Sequence, residues 1–205
     1  MKQLIIIASC ISLFFLPGCG TAPIVPYQPP SASASERAAQ ESGVEVALDP
    51  FVERAREEKY FDIDAVANGI AILHVRVANK TGDQTFFVKK QNFQLLRNGA
   101  GDLTSDGKST DQSSVAGQVM GVLGAGAVMG LFGSSLVSHA VEVKRNFTSK
   151  EMGDQTLSPG DSMDGFIYFG PIAQGKDWTR AAAVKINVID TKTQKVIALN
   201  ISLSQ

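Results

Sequence analysis

Hydrophobic residues recur with a period of two in two separate stretches of this chain, and that alternation demands strands with one face in a core. Ala71, Leu73, Val75 and Val77 alternate with Ile72, His74, Arg76 and Ala78, and the run stops at the turn cluster Asn79-Lys80-Thr81-Gly82-Asp83. Phe86-Phe87-Val88 and Phe93-Gln94-Leu95-Leu96 read as two further short strands, closed by the turn Arg97-Asn98-Gly99. The pattern returns after the turn Ser158-Pro159-Gly160-Asp161, with strands over 164–169, 183–190 and 196–203. Roughly seven short strands separated by such turns predict a mainly β fold of the sandwich type.

Upstream of the strands the grammar differs. Asp49-Pro50 has the form of a helix start, an N-cap side chain followed by Pro, and predicts one short helix through Lys59. Residues 19–45, with Pro23, Pro26, Pro29-Pro30 and the run Ser31-Ala32-Ser33-Ala34-Ser35, read as a tether of stiff and flexible pieces. The expected organisation is therefore a leader over 1–18, a tether over 19–45 and one domain over 46–205.

The leader begins with Met1-Lys2-Gln3, and Leu4 to Phe15 is apolar apart from Ser9, Cys10 and Ser12. Twelve residues are too few to span a bilayer and match the hydrophobic region of a secretion signal. The following Leu16-Pro17-Gly18-Cys19 resembles the lipobox of bacterial lipoproteins, with Pro17 in place of the more usual Ala or Ser. That resemblance implies cleavage before Cys19, palmitate-type acylation of its thiol and new amino terminus, and a membrane anchored through those chains. Two or three acyl chains, at about 0.8 kcal/mol per buried CH₂, hold durably where one does not. Gly20 directly after the Cys, where Asp would retain the protein at the inner membrane, implies delivery to the outer membrane of a Gram-negative cell, facing the periplasm. In a Gram-positive source the anchor is the cell membrane. The stretches ILHVRVANKT, LSPGDSMDGFIYF and AVKINVIDTKTQKVIALNISL are similar to immunoglobulin-like modules of exported lipoproteins. This resemblance implies an immunoglobulin-like β-sandwich and transfers no functional residue.

One segment does not belong to a sandwich. Val115 to Val137 carries no charge, and Gly117, Gly121, Gly124, Gly126, Gly130 and Gly133 are interleaved with Val, Leu, Met and Phe. Each Gly costs a helix about 0.8–1.0 kcal/mol relative to Ala, so helices here need close packing to persist. The Gly117–Gly121 and Gly126–Gly130 spacings are the small-xxx-small pattern that lets two backbones approach. A helical insertion over about 113–140 is expected, either entering a bilayer or forming a hairpin broken near Gly124-Ala125-Gly126 that packs on the domain or a second copy, with a mobile loop as the third arrangement. Glycine zippers of this kind resemble those of envelope proteins that oligomerise or touch membranes.

Chemistry is sparse. Cys10 and Cys19 are the only cysteines, so nothing beyond residue 19 offers a disulfide, a thiolate nucleophile or a Cys-ligated metal. His74 shares a strand face with Arg76 and is expected to be solvated or lightly buried, while His139 lies three residues from Glu142. Neither has a carboxylate partner that the sequence can name. Asp161 and Asp164 are assigned to turn formation, and Asp102, Asp106 and Asp111 lack calcium-loop spacing. No P-loop, nucleophile elbow or zinc-helix motif occurs. Removal of the leader takes Lys2 and leaves 18 basic against 20 acidic side chains, which offers nucleic acid no attraction. The expectation is a non-enzymatic envelope lipoprotein without cofactor or metal. Cys19 is its lipidation site, and Gly117, Gly121, Gly126, Gly130 and Gly133 mark its membrane or self-association segment. The partner is a second copy or another envelope protein. The alternative is a periplasmic module for a hydrophobic ligand, with the glycine-rich segment as its lid.

Overall fold

The computed structural model describes residues 25–28, 37–97, 133–170, 172, 177–180 and 182–204. Eight strands and two helices occur among them: β1 (Ala38–Glu41), β2 (Val44–Phe51), α1 (Arg54–Phe61), β3 (Ala71–Asn79), β4 (Phe86–Arg97), α2 (Gly133–Lys150), β5 (Gln155–Leu157), β6 (Ser162–Phe169), β7 (Ala182–Asp190) and β8 (Val196–Ser202). Two four-stranded sheets form, in the orders β1-β2-β3-β6 and β5-β4-β7-β8, and every pair is antiparallel. This is a β-sandwich-like domain, as the alternation demanded.

The period of two sorts side chains into layers. Leu73, Val75 and Val77 of β3 and Met163 and Ile167 of β6 point inward, against Phe86, Val88, Val184, Ile186, Leu199 and Ile201 of the other sheet. The opposite face of the first sheet is also covered. Phe51, Ile72, Phe166 and Tyr168 meet Phe61, Val143 and Phe147 from the two helices in a second core. Burying a strand on both faces is what a third layer does, and all of β3 except Arg76 is buried.

The expected helix exists, but it is displaced. Asp49-Pro50 belongs to β2, where Pro50 stands opposite Leu73, and α1 begins only at Arg54 with Glu53 as its N-cap. Proline is tolerated there because of where β1 starts. The Leu48 amide donates to the Arg37 carbonyl at 3.0 Å, so residue 50 faces the same side, beyond the Ala38 end of β1. The missing N–H therefore falls on an edge with no strand partner among the described residues. β1 itself lies within the 19–45 span read as tether.

The two short strands expected over 86–96 are one strand, β4, whose pairing with β7 shifts register between Val88 and Phe93. Asn79 earns the turn that was read at 79–83. Buried to 1% exposure, it donates from Nδ2 to the carbonyls of Gln84 and Leu157 and accepts from the Thr81 amide. After α2 the chain crosses β6 so closely that a Cβ on Gly165 would lie 2.8 Å from Met152 Cα. The Met152 amide donates to the Phe166 carbonyl at that crossing.

Candidate functional site

Cys19 and the glycines Gly117, Gly121, Gly126 and Gly130 lie outside the described residues; Gly133 is the first residue of α2. What the described residues bring together is a polar and aromatic cluster on the helix-covered face of the first sheet.

Its centre is a row across three strands. Register places His74 of β3 between Asp49 of β2 and Phe166 of β6. Neither solvated nor only lightly buried beside Arg76, His74 is 3% exposed, and its Nε2 lies 3.2 Å from Asp164 Oδ2. Asp164 sits two residues along β6 from the residue directly opposite, a diagonal neighbour within reach of long side chains. Burial holds the His74 pKa below the usual range, although Asp164 pulls the other way. His139 also has a carboxylate partner, but it is Asp62 at 3.2 Å rather than Glu142. Asp62 caps α1 in the left-handed region at φ 61°.

Tyr27 lies over this row. Its ring meets Phe51, Tyr60, His74 and Phe166 edge-on, with centroids between 4.7 and 5.3 Å. Edge-to-face geometry of this kind contributes about 0.5–1.5 kcal/mol per pair beyond burial. The phenol donates to Asp49 Oδ2 and accepts from Arg56 Nη2 at 3.1 Å. Arg56 is in turn held by both Asp49 oxygens, at 2.7 and 3.3 Å, and its guanidinium lies 4.1 Å from the Phe51 centroid. Such a two-point clamp fixes the carboxylate's orientation as well as its charge. Burial, then the bond to Asp49, raises the phenol's pKa, so Tyr27 stays a donor.

Behind α1, Glu57 is fully buried. Its Oε2 accepts from the amides of Ala65 at 2.8 Å and Val66 at 3.3 Å, while Oε1 has no hydrogen-bond partner among the described residues. Burial pushes this carboxyl up to about 7, against the pull of the two amides. Lys150, at the end of α2, donates to the Tyr60 carbonyl at 2.7 Å and to Asn146 Oδ1 at 2.8 Å. Burial brings its pKa down to about 8. Alongside lies a cavity of about 220 Å³ lined by charged and polar residues, among them Glu58, Asp62, Glu142, Arg145 and Asn146.

The arrangement is built for holding. Asp49 and Arg56 clamp one another and a phenol, Asp164 restrains His74, and Glu57 closes the turn after α1. Among the described residues no three His, Cys, Asp or Glu side chains gather as a metal site, and no helix is long and apolar enough to cross a membrane. Sequence reasoning missed Tyr27, Asp49, Arg56 and Glu57. The one available signal was an aromatic residue standing alone in a Pro- and Ser-rich stretch, which a free tether has no use for.

The fold and this face define the class: a two-sheet, sandwich-like domain with a helical layer over one sheet. No protein-family model matches the chain, and no curated protein matches it by sequence.

Proposed function

We propose that this is a lipid-anchored envelope protein without catalytic activity, whose domain mediates association with a second copy of the chain or with an envelope partner. The observation that carries the reading is Leu16-Pro17-Gly18-Cys19 behind an apolar leader. Tyr27, eight residues on, packs against the domain rather than trailing from it, which suits a domain held close to its anchor. Gly20 favours the outer membrane of a Gram-negative cell, with the domain facing the periplasm. Residues 115–137, uncharged and glycine-patterned, supply the association segment, marked by Gly117, Gly121, Gly126, Gly130 and Gly133.

The finer fold assignment is an immunoglobulin-like sandwich. β2, β3 and β6 share one sheet, while β5, β4, β7 and β8 share the other. Taken in chain order, β2 to β8 thus match strands A, B, C, C′, E, F and G of that plan without its D strand, with B pairing E, C pairing F and F pairing G. The glycine-rich segment then occupies the connection after strand C.

Exchanging residues 1–19 for a cleavable, non-lipoprotein export signal tests both parts. The exchanged protein is expected in the soluble fraction after a carbonate wash that leaves the native protein on membranes. Cross-linking it is expected to give a dimer or one defined adduct, which deletion of residues 115–137 removes. A monomer without membrane contact beyond the acyl chains contradicts the proposal.

A further inference from the structure

The Tyr27 socket is more elaborate than a passing contact on a tether requires. Four aromatic rings surround one side chain, and a fixed carboxylate–guanidinium pair reads its hydroxyl. Phe cannot make the Asp49 and Arg56 contacts, and no aliphatic side chain makes the edge-on ring contacts. The segment that presents it, Val25-Pro26-Tyr27-Gln28-Pro29, has Pro on both sides. Pro biases its neighbours toward extended backbone, which lowers the entropy lost on docking.

The position of Tyr27 relative to Cys19 gives the socket a consequence. Eight residues separate them, a reach of at most about 29 Å fully extended. Without that docked segment, the first tie among the described residues is the Arg37 carbonyl, which accepts from the Leu48 amide eighteen residues from Cys19, and the limit rises to about 65 Å.

We propose that this socket is a tyrosine-specific latch on the chain's own membrane tether. Docked in cis, Tyr27 keeps the helical face of the domain near the lipid surface; released, it lets the domain stand off to more than twice that distance. The latch rests on the lipidation of Cys19 proposed above, whereas the socket does not.

Two measurements separate these parts. In the unlipidated exported protein, nuclear Overhauser contacts from the Tyr27 ring to Phe166 and His74 are expected; their absence overturns the socket, whatever the state of Cys19. For the lipidated protein in vesicles of phosphatidylethanolamine and phosphatidylglycerol, Trp178, the sole tryptophan, is a built-in donor to a headgroup-attached dansyl acceptor. Energy transfer is expected to fall about twofold or more in Tyr27→Ala, with Tyr27→Phe between that variant and the native chain. To show that the variant's socket is intact, a synthetic peptide of residues 23–30 at about millimolar concentration should bind Tyr27→Ala but not the native protein, where the cis segment already fills the site. Equal transfer in native protein and Tyr27→Ala overturns the latch. Ring contacts without vesicle association overturn the lipid anchor while leaving the tyrosine socket standing.

Discussion

Replacing Phe166 with Ala is expected to lower the stability of the domain by about 3–5 kcal/mol, the usual cost of emptying a buried Phe site. Phe166 is 3% exposed and holds the helical layer to the sheet. Its ring lies 5.0 Å from Phe61 on α1, 5.3 Å from Phe51 on β2, 4.9 Å from His74 on β3 and 5.2 Å from Tyr27. Four elements therefore lose a contact at once, and a cavity at their junction closes only if α1 moves. For a domain of this size each kcal/mol shifts Tm by about 2–4 °C, so a drop on the order of 10 °C is expected. Urea unfolding is the cleaner measure: the midpoint falls, and an unchanged slope shows that the folded state is as compact as before. Phe87, half-buried on the outer face of β4, is the control, and its Ala variant is expected to cost about 1 kcal/mol or less. A loss that small at Phe166 would mean that the helices do not pack on the sheet as described.

The second large effect is a dependence on pH. Glu57→Gln is expected to match the native protein near pH 4.5 and to exceed it in stability at pH 8 by about 2–3 kcal/mol. The sign follows from the raised pKa. A carboxyl at about 7 in the folded state, against an ordinary 4.5, keeps its proton while the unfolded chain is losing one. The native protein accordingly loses stability as pH rises from about 4.5 to 7, and the loss levels off above that. Gln mimics the protonated form and can accept from the Ala65 amide with its own oxygen, so it escapes the loss. His74 works in the opposite sense. Its pKa is lowered by burial, so folding disfavours its proton, and the stability it contributes above 6.5 is lost as pH falls. The groups facing it, Asp164, Asp49, Arg56 and Tyr27, leave it closed to solvent on that side. Below pH 6.5 the two slopes oppose each other in the native protein, and Glu57→Gln exposes the histidine's slope alone. A difference between variant and native protein that is flat across pH 4.5–8 would contradict the burial of Glu57.

The strands that were legible in the sequence are those whose one-sided burial writes a clean alternation. β8 is buried at every second residue, and β6, β7 and β3 fall within two residues of the runs at 164–169, 183–190 and 71–78. β4 was split in two by Lys89-Lys90-Gln91, whose polarity belongs to an irregularity within one strand; there the Lys90 amide donates to Asp154 and its ammonium to Glu151. β2 was hidden by Asp49-Pro50, because an Asp-Pro pair opens helices and sits on strand edges equally well. What covers the outside of a sheet was the least readable. Ile72 on the supposedly polar face of β3 was the clue that this face, His74 included, is buried. The candidate site could not be read because residues 27, 49, 56, 74 and 166 meet only through pairing across three strands and a docked N-terminal segment. The proposed leader and lipidation site differ in kind, since contiguous residues alone carry that pattern.

Lipidation of Cys19 is tested most directly by the mass of the mature protein's N-terminal peptide, isolated from its native membranes. The expected result is a chain that begins at Cys19 and carries a diacylglyceryl group on its thiol together with an acyl group on its amine. A mature chain that begins elsewhere, or one whose Cys19 bears no lipid, would contradict the anchor and with it the proposed role of the latch.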